Sequence, residues 1–404
     1  MTPRLLALTV ALAVLAVPTA DAKTTRKTDR TLRADLTHLV AGGGGQAGFA
    51  VLDARTGKAL AERRPTTARP LGSTAKLLTT GAAVDLLGRG ASLTTTVLVA
   101  GGIDGAGTLT GDVVLRGGGD PSLDEPQLGQ LADAVAARGI RRITGSVVGD
   151  DSAFDAVRGG PATGGAFDLE LTGSLGALTY ARGRQAPGGP LQPDPGRAAA
   201  FRLDDLLEAR GLTIRGIPRA GVTPPGAVEL GRVAAPVATV VTTIDKQSDD
   251  FAAEVLAKAL GAAKGGAGTT VAGVRVIAAH ARALGARLHP VDGSGVDHGT
   301  TGSPRQLARY VRRIRTRAAI ASSLPIAGVD GTLRTRMTSG PARRACRAKT
   351  GSLPQTRVSA LAGWCRTGGR TVVFAILQEH VGGQDAAKAA EDAMVQRIAS
   401  SRRR

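Results

Sequence analysis

Apolar positions at Leu32, Leu36 and Leu39 recur at helical spacing and predict a helix over 28–40, which a glycine run at 42–45 breaks. Residues 47–53 alternate as a strand, turn at Arg55-Thr56-Gly57 and continue as strand over 58–62. Leu77, Leu78, Ala82 and Leu86 share one side of a helix over 73–87, with Gly88 as its stop. From 93 to 237 the texture changes to strand-like runs over 94–99, 107–116 and 142–148, punctuated by glycines such as those at 117–119. Helices are expected there over 125–137 and 198–210, a Gly/Pro-rich loop over 183–197, and short strands near Thr213 and Val228. Helical patterns return over 248–260, 270–284 and 303–314, the last opened by Ser303 as N-cap and Pro304 at the first helical position. Strands over 345–352, 357–366 and 371–378 and a helix over 385–398 complete the pattern. Strand and helix on both sides of a β-rich interruption predict one α/β domain, 23–92 with 238–404, split by an insertion at 93–237.

The first residues set the expected compartment. Arg4, an apolar run over 5–17 and the small-residue end Ala20-Asp21-Ala22 read as an export signal at 1–22, cleaved before Lys23. The run is too short to span a bilayer, and no Cys near the cleavage point suggests lipidation. The mature protein is expected outside the cytoplasmic membrane: extracellular, wall-associated or periplasmic. Composition changes the picture in two ways. Aromatic residues are only 2% of the chain, so the core must be built from Leu, Val, Ala and Ile. The formal charge is +19, with arginines crowded at 305–317, 343–347 and 402–404. For an exported chain with no aromatic platform among its basic residues, that balance argues against nucleic acid and for anionic wall polymers.

The only cysteines are Cys346 and Cys365. They fall on the strands over 345–352 and 357–366, joined by the turn Leu353-Pro354-Gln355-Thr356. If Gly351 faces Ala360, then Cys346 faces Cys365 in the same antiparallel register. Facing Cβ atoms lie about 4.5–5.5 Å apart, near what a disulfide needs, so a staple across this hairpin is expected. Five dispersed histidines and these two cysteines make no ligand set, and neither metal nor cofactor is expected.

Three short segments carry candidate chemistry. Ser73-Thr74-Ala75-Lys76 opens a predicted helix, and a spacing of three puts both side chains on one face, about 5–6 Å apart at Cβ. A serine hydroxyl needs a base to take its proton, and a lysine kept neutral by burial can serve. Ser248-Asp249-Asp250 opens another predicted helix, and Lys349-Thr350-Gly351-Ser352 lies on a strand where glycine permits close approach of a ligand. Taken singly, each is a common cap or an ordinary strand. Their order and context are specific: Ser-x-x-Lys, Ser-Asp-x and Lys-Thr-Gly, on helix start, helix start and strand.

In these motifs the chain resembles the D-alanyl-D-alanine carboxypeptidase/endopeptidases, the class C low-molecular-mass penicillin-binding proteins. The resemblance extends to Gly118-Gly119-Asp120-Pro121-Ser122-Leu123, to 149–155, to Asp292-Gly293-Ser294-Gly295 and to 324–333, and covers nearly the whole mature chain. It implies a transpeptidase-like α+β domain with an antiparallel sheet flanked by helices, and identifies the interruption with that class's large insertion. It implies Ser73 as the acylated nucleophile, Lys76 as its base and Ser248 as proton relay. The N–H groups of Ser73 and Ser352 would form the oxyanion hole. Lys349, Thr350, Gly351 and Ser352 would hold the terminal carboxylate of peptidoglycan stem peptides ending in D-Ala-D-Ala, and β-lactams would acylate the same serine. Two positions depart from the pattern. Asp250 stands where the family carries Asn, so it cannot donate to a substrate carbonyl, and a carboxylate there favours a charged Lys76. His298 stands where the family's pocket carries Arg. Two other readings stay open at this point: a catalytically weakened wall-binding homologue, and a β-lactamase, although no Glu-x-x-Leu-Asn segment is present.

Overall fold

The computed structural model describes residues 20–88, 90–167 and 173–401. Of the expected export signal, residues 1–19 lie outside the described residues, as do the arginines at 402–404. The chain begins with α1 (Ala20–Ala41), β1 (Gln46–Asp53), β2 (Ala59–Arg63), the two-residue β3 (Arg69–Pro70), a 3-10 turn at Gly72–Ala75 and α2 (Lys76–Leu87). A β-rich stretch follows: β4 (Ser92–Ile103), β5 (Thr108–Gly117), α3 (Glu125–Ala136), β6 (Arg142–Ile143), β7 (Val147–Asp150), α4 (Pro195–Glu208), β8 (Thr213–Ile214), β9 (Arg219–Ala220) and β10 (Val228–Pro236). Helices then return as α5 (Val237–Gln247), α6 (Asp250–Lys264) and α7 (Thr270–Ala283). After them come β11 (Thr301–Gly302), α8 (Pro304–Ile314), α9 (Ala318–Ser323), β12 (Cys346–Leu353), β13 (Val358–Thr367), β14 (Arg370–Glu379) and α10 (Gln384–Ala399).

Five strands form an antiparallel sheet in the order β12-β13-β14-β1-β2, flanked by helices on both faces. Phe49, Val51, Phe374 and Ile376 point into one core with Leu36 of α1 and Met394 of α10. Their neighbours Ala50, Leu52, Ala375 and Leu377 enter the other with Leu77 of α2, Leu256 of α6 and Val311 of α8. The polar alternation expected over 47–53 is therefore absent: both parities are apolar because both faces are covered. Each fully buried aliphatic side chain contributes about 1.5–3 kcal/mol, and this two-faced burial compensates for the scarcity of aromatics.

Residues 92–236 hold a separate seven-stranded sheet in which β4 pairs antiparallel with β5 and β10, while β5 pairs in parallel with β6 and β7. Helices α3 and α4 cover it through Leu128, Leu131, Val135, Leu203 and Leu207. Three expectations need correction, and one helix had not been expected. The strand expected over 142–148 splits into β6 and β7 around Thr144-Gly145-Ser146. Helix α4 starts inside the expected loop, because Asp194 caps the Arg197 N–H and Pro195 suits the first helical position. Helix α5, built on Val237, Val240, Val241 and Ile244, was not anticipated although its spacing is legible. Ser303 flanks α8 as expected but makes no side-chain cap bond. No helix among the described residues is long and apolar enough to cross a membrane.

Candidate active site

Ser73 sits on the 3-10 turn that runs into α2, a tighter winding than the α-helix start expected there. The turn is held by Thr74 Oγ1 donating to the Leu71 carbonyl at 2.6 Å. Turn and helix bring Ser73 and Lys76 together, with Lys76 Nζ 2.8 Å from Ser73 Oγ. The same amine donates to Asp250 Oδ1 at 2.5 Å and to the Ser294 carbonyl at 2.8 Å. Lys76 is 0% exposed. A cation so buried requires this partnering. Three acceptors also occupy every proton an ammonium can donate.

Ser248 is not the helix N-cap that its sequence position suggested. It ends α5 in the left-handed region, at φ 62°, and Asp249 caps α6 by accepting from the Ala252 N–H. Lys349 Nζ donates to Ser248 Oγ at 2.8 Å and to the Thr350 carbonyl at 2.9 Å. Strand β12, which carries Lys349, runs beside the 3-10 turn. A Cβ on Gly351 would lie 3.1 Å from both the Leu71 carbonyl oxygen and Ser73 N, so glycine is what allows strand and turn to approach. Thr350 and Ser352 are half-buried, and Thr350 Oγ1 bonds to Thr332 Oγ1 at 2.9 Å. The three motifs thus meet: Ser73 with Lys76, Lys76 with Asp250, Lys349 with Ser248. His298 does not join them. It is exposed on the turn at 297–299, with no hydrogen bond or ion pair among the described residues linking it to the cluster.

Burial shapes the electrostatics. Burial and the nearby Lys76 charge push the Lys349 amine down to about 7, with Asp245 and Asp250 opposing. Burial pushes the Asp245 carboxyl up to about 6, although Ser323 Oγ donates to it at 2.5 Å and both lysines favour its ionised form. Behind Lys76, Glu254 Oε1 accepts the Gly293 and Ser294 N–H groups at 2.9 and 2.8 Å. Burial and the Asp292 charge push this carboxyl up to about 7. Glu254 thereby holds the loop whose Ser294 carbonyl receives Lys76. Sequence reasoning missed Asp245 and Glu254. The signal for Glu254 was a lone carboxylate inside the apolar run of α6, whereas Asp245 left none. No group of three or more potential metal ligands occurs among the described residues.

On the neighbouring hairpin Gly351 lies opposite Ala360 and Cys346 opposite Cys365, the register read from the sequence, and the two sulfurs are bonded.

The model of the D-Ala-D-Ala carboxypeptidase 3 (S13) family matches residues 32–164 and 169–401. Among curated proteins the chain is similar to the D-alanyl-D-alanine carboxypeptidase of Actinomadura sp. strain R39, 27% identical with 94% of this chain and 86% of that protein covered. It is also similar to the carboxypeptidase DacB of Mycolicibacterium smegmatis, 30% identical over 82% of this chain and 76% of the relative. Among solved structures, penicillin-binding protein 4 of Haemophilus influenzae shares the fold with a TM-score of 0.80 at 20% identity, covering 90% of this chain and 98% of the other.

Proposed function

Since this chain belongs to the S13 family of D-Ala-D-Ala carboxypeptidases, and is thus a serine peptidase, we propose that it cleaves peptidoglycan stem peptides ending in D-Ala-D-Ala through an acyl-enzyme on Ser73. The observation that carries this reading is the 2.8 Å contact between Lys76 Nζ and Ser73 Oγ, within a buried cluster that also holds Ser248 and Lys349. In the neutral state Lys76 takes the Ser73 proton as Oγ attacks the carbonyl between the two D-alanines. The N–H groups of Ser73 and Ser352 hold the developing oxyanion. Lys349, Thr350, Gly351 and Ser352 hold the terminal carboxylate, a charge-assisted contact. As the C–N bond breaks, Ser248, hydrogen-bonded to Lys349, passes its proton to the departing amine and takes one in return from the Lys76 ammonium. Water then hydrolyses the ester: its oxygen bonds the acyl carbon, the bond to Ser73 Oγ breaks, and a proton from the water passes through Lys76 to Ser73. β-Lactams acylate the same hydroxyl. The place of action is outside the cytoplasmic membrane, as residues 1–22 suggest. His298 is proposed to bear on peptide preference from its exposed turn.

One observation favours a second reading, a homologue with weakened turnover: the ion pair of Lys76 with Asp250, in which all protons of the amine are engaged. A fluorescent penicillin separates the two. The wild type is expected to label and Ser73→Ala to stay dark, while an unlabelled wild type supports the second reading. Asp250→Asn, which restores a donor and removes the counter-charge, is expected to speed acylation. An unchanged rate shows that Asp250 is already accommodated.

A further inference from the structure

Away from the cleft, the turn between β1 and β2 is surrounded by cations whose donors are spent on backbone rather than on acids. Arg312, from the last turn of α8, donates from Nε to the Ala54 carbonyl and from Nη2 to the Arg55 carbonyl, both at 2.9 Å. Arg315 reaches the same Ala54 oxygen from Nη2 at 3.4 Å, and its Nε is buried without a partner. Burial and the neighbouring Arg312 charge lower the Arg315 guanidinium from its ordinary value. Arg55 and Lys58 are exposed on the turn itself, and Arg309 and Arg313 are exposed on α8. The nearby carboxylate, Asp53, has one oxygen engaged by the Arg55 and Thr56 N–H groups and the Thr56 hydroxyl. Neighbouring arginines do find acids: Arg305 of α8 pairs with Glu62, and Arg317, at the start of α9, with Asp85. Arg312 and Arg315 thus lie half-buried beside one another with no ion pair to a carboxylate among the described residues, which is costly unless an anion completes the arrangement.

We propose that this turn and the C-terminal half of α8 form a binding site for a linear phosphodiester polymer, which docks the protein at a distance from its cleft. The site lies at the β1–β2 edge of the five-stranded sheet. Strand β12, with Lys349, lies three to four strand spacings away, about 14–19 Å. A bound chain therefore leaves the cleft free. Several features favour a polymer over other phosphate carriers. None of the exposed large apolar side chains lies at 53–58 or 309–317, so nothing there would insert into a bilayer. No aromatic residue is exposed there to stack nucleic-acid bases. Successive cations on a turn and a helix suit the repeating single charges of an extended chain.

The test measures binding of poly(glycerol phosphate) to the whole protein across a salt series. Two variants with equal charge loss are compared. One carries Arg55→Gln, Lys58→Gln, Arg309→Gln and Arg313→Gln. The other carries Arg138→Gln, Arg141→Gln, Arg142→Gln and Arg215→Gln, four exposed arginines within residues 92–236. The first is expected to bind at least tenfold more weakly and to lose about 3 from its log-log salt slope, at about 0.7 per contact. The second is expected to stay within threefold of wild type. Hydrolysis of a small D-Ala-D-Ala peptide should be the same in all three, which keeps this proposal separate from the catalytic one. Equal weakening of both variants overturns it, since net charge then explains the binding. So does tighter binding to phosphatidylglycerol vesicles than to the polymer, or saturation by inorganic phosphate alone at the same concentration.

Discussion

Lys349 is a cation with two duties, as partner of Ser248 and as proposed anchor for a carboxylate, and burial makes the second depend on pH. Its amine titrates near 7 in the folded protein against an ordinary 10.5. Below 7 it is charged and can hold a carboxylate; above 7 it loses that charge. KM for a peptide ending in a free carboxylate should therefore be flat below about pH 6 and rise up to tenfold per unit above 7. A C-terminally amidated peptide should show no such rise. Steady-state kinetics across pH 5–9 checks this, and a KM that stays flat to pH 9 would remove Lys349 from the carboxylate site. For stability the sign is opposite. Between about 7 and 10.5 the unfolded chain binds the proton that the folded chain has released, so this group makes the fold more stable as pH rises through that window.

At the scale of elements, the insertion meets the Ser248–Asp249 junction through Arg182, on a 3-10 turn at Tyr180–Arg182. Arg182 grips Asp249 with two bonds, of 2.7 and 2.9 Å, and its guanidinium lies 4.6 Å above the Phe251 ring. Asp249 follows Ser248 and caps α6, so the pair fixes the junction at which Ser248 takes its positive φ. Ala181 and Arg182 also have positive φ, at 45° and 64°, so strain is held on both sides of the contact. Arg182→Ala should lower penicillin acylation about tenfold and stability by about 1.5–3 kcal/mol. Arg158→Ala, whose bonds stay within the insertion, should leave acylation near wild type. This contact also shows where the sequence was legible. Periodicity located most of the long elements, and strand register followed from two cysteines and a glycine, because each depends on neighbours along the chain. The cap at Asp249 and the Ser294 carbonyl that receives Lys76 were hidden. They depend on which residues from distant segments meet, and Ser-Asp-Asp reads as a cap at any of its three positions. Motif order, a property of the whole chain, singled out three segments that meet in the fold where local pattern could not.

For the molecule as a whole, the hairpin of β12 and β13 is fixed at one end by the Cys346–Cys365 disulfide while Lys349 and Ser352 sit further along the same strand. The cysteines are 19 positions apart. Closing such a loop restrains the unfolded chain by about 3 kcal/mol, so replacing both with Ser should lower unfolding free energy by roughly that much in a denaturant titration. In the oxidised protein a thiol assay should find no reactive sulfhydryl; two would show the staple unformed.

Ser92 and Pro236 are partners in one ladder, and β10 runs without a break into α5. The inserted sheet is therefore attached by two adjoining stalks, one leading back to the helix of Lys76 and the other forward to the helix that ends at Ser248. A tilt of that sheet pulls on both stalks together. It would reach Lys76 and Ser248 as one movement.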